Sequence, residues 1–421
     1  MRMRRIISRR FIAAPTPRRL ILGALIPVVL IVGVLVGSCR WGGKAERAEA
    51  PPGRIRPMSM PSPVKAVWVA RFHYHFPDDI RTIMRNCRQA GFNTVLWQVR
   101  GNGTVAYRSR IEPWSAAYEH RDPGFDPLQI AVQEAHRQGL RIEAWMNVMP
   151  GWRGPKPPPI KNQLWHTHPE WFLHDAGGKR QPLGKFYVIL NPCLPEVRRH
   201  IANVVDELVT NYDVDGVHLD YVRYAWETTP NARKVYPRDS ETLRIYRSQT
   251  GKQPDGDPPA WDRWRADQLT RLVGEVKDRL QRRRPGATLT AAVWSSPRRG
   301  YEEYFQDSIA WLRTGLVDAV MPMAYTPKLD EFENYIGAYQ TLVPSGHIIP
   351  GLGIYKHETA EQIGRQLERC RLWGGGFALF SYDSLHATAG DRGGSGKARI
   401  DQKKRQLRRM RSGVLQRFNS E

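Results

Sequence analysis

From Val64 onward the chain alternates, eight times, between a short apolar run and a stretch of helical period or a loop leading to one. The run "VKAVWVARF" (64–72) leads to a helix predicted around "DDIRTIMRNCRQAG", which Gly91 closes. Then come "NTVLWQVR" (93–100), a helix near 127–138, and "LRIEAWMNV" (140–148). The later runs are "VDGVHLD" (214–220), "TLTAAVW" (288–294), "DAVMPMAY" (318–325), "HIIPGLGIY" (347–355) and "GGFALFSYD" (375–383). Strands that alternate with helices in this way are covered on both faces, which restricts the chain to α/β architectures built on a parallel sheet. Eight such repeats fit a (β/α)8 TIM barrel with long βα-loop insertions, at 148–194 and 221–262, and place any active site at the C-terminal ends of the strands. An open doubly wound sheet is the alternative, but no Gly-rich phosphate turn follows the first strand.

Strand parity then assigns faces. In "VDGVHLD" alternation puts Val214, Gly216, His218 and Asp220 on one side and Asp215, Val217 and Leu219 on the other. The outer face of a barrel strand packs against helices and takes Val217 and Leu219, so His218 and Asp220 point inward and Asp220 reaches the rim. Asp215, at the start of the strand, reads as a turn or cap residue. The other strands also end in polar or aromatic residues: Arg100, Trp145 and Asn147, Trp294, Tyr325, Tyr355, and Tyr382 with Asp383. Arg223 and Tyr224 follow Asp220. Singly, an aromatic at a strand end is packing. Together these residues ring one mouth, where Trp and Tyr offer flat faces to sugars and Arg, Asn and Asp offer hydrogen bonds to hydroxyls.

The formal charge of +23 is concentrated at the two ends of the chain. Seven arginines precede Leu20, and Lys397 to Arg411 holds eight basic residues against Asp401. The body between is mildly basic, suited to an anionic matrix or membrane surface, and no recognition motif for nucleic acid accompanies the charge. The first 39 residues read as a signal or anchor segment: an Arg-rich start, the apolar "LILGALIPVVLIVGVLV" (20–36), then "VGSC". That ending fits a bacterial lipoprotein cleavage site with a lipid on Cys39, or else an uncleaved anchor helix; either leaves the body outside the cytoplasmic membrane. Residues 40–63 read as a flexible linker, 64–386 as the barrel, and 387–421 as a basic, partly helical C-terminal tail. The four cysteines, at 39, 87, 193 and 370, form no zinc spacing and no disulfide framework.

At this point the residues carry a resemblance. "KAVWVA", "GFNTVLWQVRGNGTVAYRSRIEPWS", "FDPLQIAVQEAHRQGLRIEAWMNV", "HPEWFL", "LNPCLPEVRRHI", "YDVDGVHLDYVRY" and "AVMPMAYT" occur in an order that resembles the glycosyl-hydrolase-like family 10 barrels, over 64 to about 386. The resemblance implies an exported, glycoside-hydrolase-like protein, with some relatives acting on cell-wall glycan strands, and makes Asp220 the family's strand-four Asp. Where many members continue with a second Asp this chain has Tyr221. "DGVHLDYV" is also similar to the chitinase strand-four pattern, but His218 and Val222 stand where chitinases carry an Asp and the catalytic Glu. Amylase-like barrels, with a basic residue two places before a nucleophilic Asp, are the better match to His218 and Asp220.

Glycoside hydrolysis commonly uses two carboxyl groups. Asp220 is the first candidate; for the second the sequence offers Glu143, inward on strand three, Asp383, and the loop acids Glu302 and Glu303. "HYH" (73–75) suits sugar hydrogen bonding or rim packing better than a metal, and no cofactor is implied. The expected function is an exported, membrane-tethered glycoside hydrolase of a polysaccharide in the cell envelope. A catalytically silent glycan-binding barrel is the competing expectation, and an enzyme that removes a substituent from a polysaccharide is a third.

Overall fold

The computed structural model describes residues 60–225, 229–374, 376–391 and 402–420. The leader, Cys39 and most of the linker lie outside the described residues. Eight strands close a parallel barrel: β1 (Val64–Val69), β2 (Thr94–Arg100), β3 (Arg141–Asn147), β4 (Gly216–Asp220), β5 (Thr288–Trp294), β6 (Ala319–Met323), β7 (Gly351–Leu352) and β8 (Gly376–Leu379). Each pairs with its sequence neighbour, and β8 closes on β1 through Val64 opposite Gly376. That closure needs glycine, because Gly376 has φ +81° and a Cβ there would stand 1.8 Å from the Val64 carbonyl oxygen.

The strands are wrapped by α1 (Pro77–Gln89), α2 (Pro127–Arg137), α3 (Pro195–Asn211), α4 (Pro258–Arg283), the short α5 (Pro297–Tyr304) and α6 (Ser308–Arg313), α7 (Leu329–Leu342), α8 (Ala360–Leu372) and α9 (Gln402–Ser420). In α1, Pro77 opens the helix and the Asp79 carboxylate accepts from the His75 and Phe76 N–H groups. Ile80, Ile83, Met84 and Cys87 form its buried stripe, and Gly91 takes the positive φ that ends it. Asp126 caps α2, and Thr359 with Gln362 forms a capping box on α8. Asp215 latches across elements: its carboxylate accepts from Ile142 N at 2.8 Å and pairs with His136 of α2 at 3.0 Å. A hairpin, Pro150–Gly154 against Gly184–Ile189, stands in the long loop after β3.

Two expectations need correction. The runs "HIIPGLGIY" and "GGFALFSYD" pair over only two and four residues. Pro350 has no N–H to give a ladder, and one-turn helices at Ile354–Lys356 and Tyr382–Ser384 follow. Tyr355, Tyr382 and Asp383 therefore sit in one-turn helices just past their strands, and Tyr325 on the loop after β6. The basic C-terminal segment, expected as a partly helical tail, does contain a helix, α9, but this helix follows β8 and packs onto the barrel. Val414 and Leu415 are buried, Phe418 meets Phe377 at 5.8 Å, and Asn419 links Lys65 to the Ala90 carbonyl. Two of the cations that made the segment read as solvated are buried clamps. Arg408 donates to the Asp383 carbonyl (2.6 Å) and to Asp391 (2.8 Å), and Arg411 to the carbonyls of Tyr355 (2.9 Å) and His357 (2.7 Å).

Arg100 is a second clamp. Buried at 0% exposure, it grips Glu112 with two hydrogen bonds of 2.8 and 2.7 Å, while its other nitrogen donates to the carbonyls of Asn147 and Val148. His200 of α3 also contacts Glu112, at 2.9 Å. Burial alone would raise the Glu112 carboxyl, but the Arg100 guanidinium and His200 outweigh it and bring the carboxyl down to about 2. A carboxyl lowered on folding stabilises the fold above its unfolded value near 4.5, and that contribution disappears as pH falls towards 2. Glu112→Gln should therefore cost on the order of 3 kcal/mol at neutral pH, by leaving a buried guanidinium uncompensated. Urea unfolding between pH 7 and 3 checks this: the variant should show a flatter acid limb than the wild type, and parallel curves would refute the assignment.

Candidate active site

At the C-terminal mouth, register places Asn147 of β3 beside Asp220 of β4. The chain turns sharply after Asp220: Tyr221 has φ +54°, a left-handed conformation costly for a bulky residue. The turn aims the Tyr221 N–H at Asp220 Oδ1 (2.6 Å), where Arg223 also donates at 3.2 Å. Both of these donors reach Oδ1, and Asp220 Oδ2 has no hydrogen-bond donor among the described residues. The Arg223 guanidinium also lies over the Tyr221 ring at 3.8 Å and within 5.8 Å of the Trp294 ring. Trp294 in turn stacks on Tyr304 at 4.3 Å.

A polar arc continues from Asn147. Its Oδ1 accepts from Gln98 Nε2 (3.2 Å), Gln98 Oε1 accepts from Arg71, and Asn147 Nδ2 donates to Tyr187 of the hairpin (3.4 Å). The Tyr187 ring meets Tyr221 at 5.0 Å, so the inserted hairpin helps wall the mouth. The floor is aromatic and centred on Phe380. Its ring stacks on Tyr325 (5.3 Å) and meets Trp68 (6.0 Å), Tyr355 (6.3 Å) and Trp145 (6.4 Å). Gly353 makes room for this layer, because a Cβ there would lie 2.6 Å from Tyr325 Cβ. Burial pushes the Tyr325 hydroxyl well above its ordinary value, and the Asp220 charge adds to the effect. The phenol keeps its proton and stays a donor near the carboxylate.

Beneath this floor the axis is filled by a hydrogen-bonded chain. The Trp68 indole donates to His218 Nε2 at 3.0 Å, and His218 Nδ1 meets the Thr290 hydroxyl at 2.8 Å. Thr290 and Thr288 donate to Glu143 at 2.5 and 3.0 Å, and Arg141 reaches the same carboxylate at 3.3 Å. Burial brings His218 down to about 3, so it is neutral, with Nε2 the acceptor and Nδ1 the donor. Burial raises the Glu143 carboxyl, against the opposing effects of Arg141 and the threonines.

The structure thus separates the residues that parity had grouped. Asp220, Asn147, Trp145, Trp294, Arg223, Tyr325 and Tyr355 converge on the mouth. Glu143 does not: it pairs in register with Gly216, four residues below the Asn147–Asp220 level, which at ~3.3 Å per residue is about 13 Å. His218 is sealed under the aromatic floor, Arg100 is committed to Glu112 and the β3 carbonyls, and Tyr224 is buried with its hydroxyl 3.3 Å from Cys193 Sγ. Glu302 and Glu303 pair with Arg298 and Arg299 on exposed α5. Asp383, past β8 on the opposite side of the barrel from β4, is 39% exposed and accepts from the Ser381 hydroxyl. Sequence reading missed Phe380, Gln98, Tyr187 and the role of Tyr221. Phe380 and Gln98 share the inward parity of Ala378 and Leu96, so that signal was present; the contact from the inserted hairpin had none. No group of three or more His, Cys, Asp or Glu is placed to hold a metal among the described residues.

Comparison with known proteins follows the same lines. The model of the family described as glycosyl hydrolase-like 10 matches residues 63–372. The chain is similar to Glycosyl hydrolase DigH of Escherichia coli (strain K12), 29% identical, with the match covering 57% of this chain and 56% of that one. It is also similar to Glycosyl hydrolase YngK of Bacillus subtilis (strain 168), 24% identical over 58% of this chain and 48% of that one. The matches span about half the length of these curated relatives. Among solved structures, the glycoside hydrolase domain of PgaB (BpsB) from Bordetella bronchiseptica shares the fold at TM-score 0.58 and 16% identity, over 76% of this chain and 94% of that domain.

Tyr355 is the exposed member of the aromatic layer, at 48%. Tyr355→Ala should weaken binding of a glycan laid across the mouth by about 1 kcal/mol while leaving unfolding within ~0.5 kcal/mol of wild type. Calorimetric titration beside a melting curve checks both, and unchanged affinity would remove Tyr355 from the binding surface.

Proposed function

We propose a function for this chain from one established premise: it belongs to the glycosyl hydrolase-like 10 family. The chain is a glycoside hydrolase that acts on a polysaccharide, with peptidoglycan glycan strands or another amino-sugar polymer as its substrate class. The observation that carries this reading is Asp220, held at the mouth through Oδ1 by Tyr221 and Arg223 with no donor to Oδ2 among the described residues, beside an aromatic floor that suits a sugar face. Cleavage of a glycosidic bond develops positive charge on the sugar ring and negative charge on the leaving oxygen. Asp220 answers the first, as nucleophile, base or electrostatic stabiliser. The proton for the leaving oxygen comes from a second acid, for which Asp383, past β8 with its side chain 39% exposed, is the candidate. The Trp, Tyr and Phe surfaces exclude water from the ring, which strengthens each charge interaction there.

A second reading has its own support. The Arg223–Asp220 ion pair is also what a rim salt bridge looks like, and a barrel that used it so would bind glycan without cleaving it. The leader and Cys39 add to both readings a place in the cell envelope, with the body anchored by a lipid or an uncleaved helix and facing away from the cytoplasm.

Incubating the purified chain with defined peptidoglycan glycan strands and amino-sugar oligomers should yield shorter products by mass spectrometry. Intact glycan that nevertheless binds the chain would decide for the silent barrel. Fractionation of cells producing the chain should place it with membranes, and a wholly cytosolic chain would contradict the envelope assignment.

A further inference from the structure

The loops after β1 and β8 meet α1 around a cavity of about 310 Å³, at the small end of the ~300–1,000 Å³ typical of ligand pockets. His73, Asp79, Thr82, Tyr382, Thr388 and Asp391 are among its lining residues. His73 is 2% exposed, and its Nδ1 accepts from the Ala70 N–H at 3.1 Å, which makes Nε2 the protonated nitrogen. That N–H has no hydrogen-bond acceptor; Asp383 Oδ1 stands off at 3.7 Å. A buried donor left unmade costs about 1–3 kcal/mol, so its place beside a cavity calls for an acceptor from outside.

The acids around the cavity do not make it a cation site. Asp391 is neutralised by Lys404 and Arg408 and also accepts from Thr388, Asp78 pairs with Arg81, and Asp79 is spent on the start of α1. What remains is a charge-balanced pocket in which polar groups share the lining with Ile83, Ala387 and Ala389. A neutral ring with hydroxyl groups fits that chemistry: acceptors for the His73 N–H, donors for carboxylate and threonine oxygens, and an apolar face for Ile83 and the alanines. The pocket opens at the same end of the barrel as the mouth, since Tyr382 and Thr388, which line it, follow the C-terminal end of β8.

We propose that this cavity is an accessory sugar subsite, which takes one neutral, hydroxyl-bearing ring of the same glycan whose other units lie across the mouth. It rests on the glycan-acting reading and adds a second point of contact, which raises affinity for long chains over short ones through effective concentration. It also gives the His-Tyr-His segment a role, with His73 as the binding residue.

The test compares β-1,4-linked N-acetylglucosamine dimer and hexamer by calorimetric titration of the full chain. Thr82 and Ala387 line the cavity from exposed positions, so Thr82→Trp and Ala387→Trp fill it without disturbing the core. The wild type should bind hexamer at least about tenfold tighter than dimer. Both variants should lose most of that advantage while keeping dimer affinity and the melting temperature. A wild type without the advantage, or two folded variants that retain it, overturns the subsite and leaves the glycan reading standing. A chain that binds neither oligomer overturns the subsite together with that reading for this glycan class.

Discussion

A closed parallel barrel must fill its own axis, and the hydrogen-bonded chain from Trp68 through His218, Thr290 and Glu143 to Arg141 does so here. Each polar group in it has a partner, which is the condition for burying such groups at all. With the lower axis closed by this chain and capped by Phe380, no ligand reaches below the aromatic layer. The accessible space lies above it, where Asp220 is the inward carboxylate at the end of β4.

Precision in that space comes from elements outside it. Arg100 and Glu112 lock the ends of β2 and β3, the strands that carry Gln98 and Asn147. Arg408 and Arg411 of α9 hold the carbonyls of Asp383, Tyr355 and His357, so the two loops with the least strand pairing are fixed by buried cations. The αL turn at Tyr221 stores local strain, and its return is a backbone N–H pointed at Asp220. Binding groups on short loops thus gain the rigidity that longer strands would have given them.

The barrel was legible in the sequence because strands buried on both faces leave continuous apolar runs, and the inward parity of β4 was legible because Val217 and Leu219 permit only one orientation. Counting along the strands also placed His218 one layer and Glu143 about two layers below Asp220, and the register agrees; what parity does not report is that an aromatic floor seals both from the mouth. Nor does it report partners: Arg100 and Glu112 are twelve residues apart across a loop, and Tyr224 faces a cysteine from a distant segment. The burial of α9 against the barrel was hidden for a chemical reason. Arginines read as solvated, yet Arg408 and Arg411 are buried because loop carbonyls with no strand partners need donors.

The central claim is that Asp220 acts on substrate rather than closing the rim. Asp220→Asn preserves shape and most hydrogen bonding while it removes the charge, so product release from a defined glycan, read beside the variant's glycan affinity and melting temperature, separates the two roles. The account predicts that cleavage is abolished while affinity and melting stay close to wild type. A variant that is destabilised by ~3–5 kcal/mol, as expected for a broken buried ion pair, yet retains its activity per folded molecule would contradict it.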